Sequence, residues 1–232
     1  MTPSENKTIQ WSMPLASWAY WHEGMDEPPA LELQFIESSL RRKLSPLAKQ
    51  VLSIAHRCAS AYPGCRIIFA SRNGDISRTT TQLLQMLEGE PPSPTSFSMS
   101  VLNATVGAYS IATSNHAPNT AIAASASSLG FGLLEAHMQM LNQPATPILF
   151  IYADEPPPAI YQTSDADMPA HAVAMLFNVL TTHALACRIT PRTEPESQQA
   201  QSMAMIDCLR HGSASWQGEC RRWEWQLDEK QA

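Results

Sequence analysis

The sequence is short of cationic side chains. Its 232 residues carry 15 Lys and Arg against 21 Asp and Glu, for a formal net charge of -6. That balance argues against the basic footprint of a nucleic-acid binder. Cysteine is sparse and badly spaced for metal: Cys58, Cys65, Cys187, Cys208 and Cys220 form no paired CxxC. An odd number of cysteines fits a reduced compartment better than a disulfide framework. There is no GxGxxG, P-loop or HExxH, and no Ser stands in GxSxG, so none of the chemistries those motifs carry is indicated. No cofactor and no metal are expected. The apolar runs are far shorter than the roughly 20 residues of a membrane span. The opening MTPSENKTIQ is polar, unlike a signal peptide, so a cytoplasmic protein is expected.

What is present is a globular composition, 44% hydrophobic, read as a single domain over residues 1–232. Proline clusters at Pro28-Pro29, Pro91-Pro92-Pro94 and Pro156-Pro157-Pro158 mark loops. Trp11 to Trp21 reads as a strand whose aromatics pack the core. Arg41, Arg42 and Lys43 read as a solvated approach to a helix, ahead of an alternative role in contacting an acidic protein. Pro46 suits the first turn of that helix, and Leu47, Val51, Ile54 and Cys58 form its stripe. RIIFA at 66–70 is a buried strand, and the turn 71–75 takes its positive φ from Asn73-Gly74. A helix over Thr79–Leu87 places Leu83, Leu84 and Leu87 on one side.

The stretch 93–136, SPTSFSMSVLNATVGAYSIATSNHAPNTAIAASASSLGFGLLEA, organises the rest. Phe97, Val101, Leu102, Val106 and Tyr109 recur at helical spacing until Pro118. Thr120 to Ala124 is a short strand, and Ser127 or Ser128 caps the next helix. Phe131, Leu134, Met138 and Leu141 lie on one face of that helix, with Leu129 and Leu133 beside them, so it should be buried nearly all round. PILFIYA at 147–153 is a further strand, closed by Asp154-Glu155-Pro156 as a turn with solvated charge. Residues 172–180 and 184–189 read as paired strands joined at Thr181-Thr182-His183. Glu194 to Leu209 reads as a helix, and Arg221 to Leu227 as a last short strand.

A strand that turns sharply into a helix is where many enzymes hold a nucleophile. Asn103, Gly107, Pro118, the AASASSL turn and Ala136 resemble the N-terminal half of a β-ketoacyl synthase. SPTSFSMSVLNATVGAYSI and FIYADEPPP resemble, more narrowly, the short ketosynthase-like chain-length factors of aryl polyene biosynthesis. The likeness runs from about Trp11 to about Thr190. It implies a thiolase-like α/β fold, with a mixed, mostly parallel sheet around a buried central helix. Those synthases carry a Cys at the turn, as in TACSSSL. Here that position falls on Ala126 or on Ser125, and neither is a thiol.

Decarboxylative condensation needs a thiolate for the acyl chain and imidazoles for the enolate. The His-bearing half of a ketosynthase has no counterpart here, and the seven His form no ketosynthase motif. His137 reads as a core residue. The resemblance therefore implies a subunit without catalytic residues. It would pair with a full-length β-ketoacyl-acyl carrier protein synthase and meet acyl carrier protein through that complex. Met99, Leu102, Asn103, Val106 and Tyr109 are the candidates for shaping the partner's acyl tunnel, and Thr120 and Ile122 for the interface. The alternative is a serine-dependent acyl-transfer enzyme using Ser125, for which the sequence names no base.

Overall fold

The structure, a computed structural model, describes residues 8–162, 168–181 and 183–229. Its strands are β1 (Ile9–His22), β2 (Arg66–Ala70), β3 (Asn119–Ile122), β4 (Ile148–Asp154), β5 (His171–Phe177), β6 (His183–Pro191), β7 (Ser213–Gln217) and β8 (Arg221–Glu229). They form one mixed sheet in the order β3-β2-β4-β5-β1-β6-β8-β7. The helices are α1 (Ser38–Arg41), α2 (Pro46–Ala59), α3 (Ile76–Leu87), α4 (Pro94–Ser98), α5 (Ala104–Thr113), α6 (Ser128–Asn142) and α7 (Gln201–His211).

The sheet is not mostly parallel. Only β3–β2 and β2–β4 pair in parallel, and the other five neighbours are antiparallel. The parallel neighbours are the strands from β2 to β4, which are joined to one another through helices. The expected pairing of residues 172–180 with 184–189 also fails, because β1 lies between β5 and β6. The first half of β1 pairs with β6 and the second half with β5, and Leu15 pairs on both sides. The chain thus crosses β1 between Asn178 and His183. Thr182, one of the expected turn residues, lies outside the described residues.

Strands β2, β4 and β5 are buried along their whole length, as strands covered on both faces must be. Ile68 and Phe150 face one core, shared with Met13, Trp223, α6 and α7. Ile67, Phe69, Leu149 and Ile151 face the other, beneath α2 and α5. Pro46 stands at the start of α2, where the Ser45 hydroxyl accepts from Ala48 N at 3.1 Å. Trp11 is buried and stacks on His137 at 5.4 Å between ring centres.

The continuous helix expected from Phe97 to Tyr109 is broken in two, α4 and α5. Ser98 Oγ donates to Thr95 O and Ser100 Oγ to Phe97 O, both at 2.9 Å. Such bonds give the backbone an alternative to the helix ladder, and Asn103 becomes the residue before α5. One expectation about burial also changes, and one shared apolar side proves to face solvent. Leu83, Leu84 and Leu87 do share a side of α3, but that side faces solvent. In α6, Phe131, Met138 and Leu141 are exposed and Leu134 is half-buried. α6 covers one face of the sheet, and no described element covers its outer side.

Candidate functional site

α6 sits unusually close to the sheet. A Cβ at Gly132 would stand 2.8 Å from Ala70 Cβ and from Phe150, and one at Gly130 would stand 2.7 Å from Trp223. Two glycines near its start cost helix propensity, about 1 kcal/mol each, but permit this approach. Strand β3 is the open edge of the sheet and leads into the turn Ala123–Ser127. The Ser128 hydroxyl holds that turn, accepting from Ala124 N at 2.8 Å and donating to Ser125 O at 2.7 Å. It therefore braces the turn instead of capping α6, and Ser127, at the cap position, also makes no side-chain cap bond.

Ser125 is at the apex, exposed and left-handed with φ 51°. Ala126 beside it is exposed too. Among the described residues no side chain is hydrogen-bonded to the Ser125 hydroxyl, so nothing there acts as its base. The free N–H groups of a helix N-terminus would attract an anion. Here Gln201, 2% exposed, fills part of that place: its Oε1 accepts from Gly130 N at 2.8 Å. Burial pushes the thiols of Cys58, Cys187 and Cys208 up to about 12, and that of Cys65 to about 11. None of the four is a thiolate at neutral pH. The exposed Cys220 lies in the β7–β8 turn, where a Cβ at Gly218 would stand 3.4 Å from Ser127 Oγ.

Sequence reasoning missed a buried polar network at the ends of β2, β4 and β5. Asp154 is not a solvated turn residue but is buried. It accepts from Ser71 Oγ at 2.6 Å, Arg72 N at 3.1 Å, Asn73 N at 3.0 Å and the Tyr152 hydroxyl. Burial first, and then the Asp154 carboxylate, raise the Tyr152 pKa well above its usual value, so Tyr152 remains a neutral donor. His171 stacks on Tyr152; its Nδ1 meets Pro169 O at 2.8 Å and its Nε2 meets Ser202 Oγ at 2.5 Å. The one sequence signal was position: Ser71 and Asp154 each directly follow an apolar run, RIIFA and PILFIYA.

Burial lowers the His171 pKa below its ordinary 6.5, although the nearby Asp154 works the other way; His22 adds to the lowering. Below about pH 6.5 the unfolded chain takes up a proton that the folded chain refuses. The stability that depends on neutral His171 is full above that pH and is lost as pH falls toward the depressed folded value. Urea unfolding from about pH 7 to about pH 5 should therefore show falling stability, with a shallower fall in His171→Gln. An equal slope in both proteins would contradict this role.

The tunnel candidates separate into two groups. Met99 and Leu102 are half-buried against the α2–α5 core, and Asn103 is exposed. Val106 and Tyr109 are interior: Tyr109 meets Phe35 edge-on at 6.3 Å and its hydroxyl points to Ala55 O at 3.5 Å. Thr120 and Ile122 are half-buried on the edge strand β3. Close to Met99 an apolar surface is open, formed by Leu83, Leu84, Met86 and Leu87 of α3 with Phe97 and Val101. Leu87 alone is 83% exposed. Exposed apolar patches of this kind mark interaction sites. Among the described residues no group of three or more His, Cys, Asp or Glu could hold a metal ion. No helix among them is long and apolar enough to cross a membrane.

Residues 11–226 match the family model described as beta-ketoacyl synthase, N-terminal domain. Among solved structures, a ketosynthase in complex with its chain length factor from Xenorhabdus doucetiae contains a similar chain. That chain matches at 21% identity and a TM-score of 0.79, over 93% of this chain and 99% of its own length. The ishigamide ketosynthase/chain length factor is similar at 17% identity and a TM-score of 0.57, over 81% of this chain and 59% of that one. A type II polyketide synthase acyl-carrier protein in complex with its ketosynthase gives 12% identity and a TM-score of 0.51. Its match covers 74% of this chain and 64% of that one. No curated protein matches the chain. The likenesses carry the fold, which is thiolase-like with an open mixed sheet.

Proposed function

Because the chain belongs to the β-ketoacyl synthase N-terminal domain family, we propose that it is a chain-length factor of aryl polyene biosynthesis. It pairs with a full-length β-ketoacyl-acyl carrier protein synthase, performs no condensation itself, and shapes that partner's acyl tunnel. One observation carries this reading. The match to a chain of the Xenorhabdus ketosynthase–chain length factor complex is nearly complete in both directions, so that chain is about as short as this one. Three features support it. The turn before α6 holds no thiol, Gln201 occupies the Gly130 amide in the first turn of α6, and the α3–α4 surface offers exposed apolar side chains.

Chain-length control is steric in this reading. A growing acyl chain stops when its next carbons meet close-packed side chains, where overpacking costs about 1–3 kcal/mol. Met99 and Leu102 are the candidates for this role, since both are half-buried rather than sealed in the core. Met99→Ala and Leu102→Ala should lengthen the products of the reconstituted complex, read by mass spectrometry. Unchanged length in both assembled complexes removes these two residues from the tunnel.

One observation favours a second reading, acyl transfer through Ser125: the residue is exposed, left-handed and at the foot of α6. Intact mass spectrometry separates the readings. After incubation with an acyl thioester, the chain should carry no stoichiometric adduct. Ala126→Cys should still condense nothing, since the decarboxylating imidazoles remain absent. An acyl group on wild-type Ser125 would favour the second reading instead.

A further inference from the structure

A cleft of about 260 Å³ opens between the ends of α2 and α5. Four rings line it: Phe35, His56, Tyr62 and Tyr109. Three of them hold one another in place, since Phe35 stacks on His56 at 3.9 Å and meets Tyr109 edge-on at 6.3 Å. The residues that close the two helices, Ser60 after α2 and Ser114 after α5, line the same cleft. Two helix C-termini, each equivalent to roughly half a negative charge, therefore meet at one cluster of aromatic rings. Among the described residues the lining contains no carboxylate and no Lys or Arg. Arg57, in the last turn of α2, is turned to Glu32 at 3.1 Å.

We infer that this cleft binds a small organic cation of the quaternary ammonium class. Aromatic faces and helix C-termini both attract positive charge. The polar side chains of the lining are already engaged. Asn115 donates through Nδ2 to Cys65 O at 2.8 Å and accepts from Ala117 N at 2.9 Å, and Thr113 Oγ1 donates to Tyr109 O at 2.8 Å. A primary ammonium or a hard metal ion would lack the oxygen partners it needs, whereas a methyl-clad ammonium needs none. The volume is below the roughly 300–1,000 Å³ that takes drug-sized ligands, so the cation is small. The cleft stands apart from the region discussed above. Cys65 and Asn115 precede the parallel strands β2 and β3, whereas the turn before α6 follows the end of β3. Binding here does not depend on the ketosynthase reading.

The test is titration of the nitrogen-15-labelled full chain with choline and with its uncharged isostere, 3,3-dimethylbutan-1-ol, followed by amide chemical shifts. Choline should give saturable shifts at Ser60, Ser114 and Asn115, and should bind about tenfold more tightly than the isostere. Tyr62→Leu keeps an apolar side chain at a half-buried position. It should weaken choline binding severalfold and leave the isostere unchanged. Ser60→Lys, at an exposed position, sets a positive charge at the rim and should likewise weaken choline alone. Amides away from the cleft should keep their wild-type shifts in both variants. If Tyr62→Leu fails to fold, Ser60→Lys still decides the matter. Three results overturn the inference: no saturable shifts with choline, equal affinity for choline and the isostere, or a Ser60→Lys chain that binds choline like the wild type.

Discussion

Tyr109→Ala is expected to lower the stability of the chain by about 3–5 kcal/mol, the range for deleting a large buried aromatic. The molecules that fold should leave product length unchanged. Tyr109 is 3% exposed and is held between Phe35 and the carbonyl of Ala55. It fills the core between α2 and α5, and a growing acyl chain in another subunit would have to displace that core to reach it. Val106, fully buried one turn earlier, belongs to the same interior and should behave likewise with a smaller loss. The contrast with Met99 and Leu102 is the informative part: one helical region holds both kinds of residue. Urea unfolding gives the stability, and mass spectrometry of the reconstituted products gives the length. A stable Tyr109→Ala protein that lengthens the product would mean that the tunnel enters this core.

Asp154→Ala should be comparably damaging, at about 3–5 kcal/mol. Removing the carboxylate leaves the Ser71 and Tyr152 hydroxyls and the Arg72 and Asn73 amides without their acceptor. Each buried donor left unpaired costs about 1–3 kcal/mol, and relaxation toward other acceptors offsets part of the sum. Asp154→Asn keeps one acceptor oxygen and should fall between the wild type and the Ala variant. A loss below about 1 kcal/mol in Asp154→Ala would show that these donors find other partners. The network ties the loop after β2, the end of β4, the start of β5 and the start of α7 together. It thereby supports the region against which α6 begins.

Much of the fold was legible because local signals agreed. RIIFA became β2 to the residue, Pro46 opened α2, and the alternation of Trp223 and Trp225 marked β8. The placement of β1 was not legible. A 14-residue strand that serves β6 with one half and β5 with the other is decided by pairing far along the chain. No local pattern reports such pairing. The same cause hid β7, whose SASWQ carries little alternation. The outward face of α6 misled in a different way. Apolar periodicity tells which residues share a face, but not whether that face meets the protein's own core. At the site, the turn before α6 and its lack of a thiol could be read directly. Gln201 and Asp154 could not, since each acts on a partner more than 70 residues away.

The most direct measurement is native mass spectrometry of the chain mixed with its ketosynthase and an acyl-thioester donor. The expected species contains the two chains in equal numbers, with the acyl group on the ketosynthase and none on this chain. A chain that stays unbound, or that itself carries a stoichiometric acyl group, would contradict a non-catalytic partner subunit.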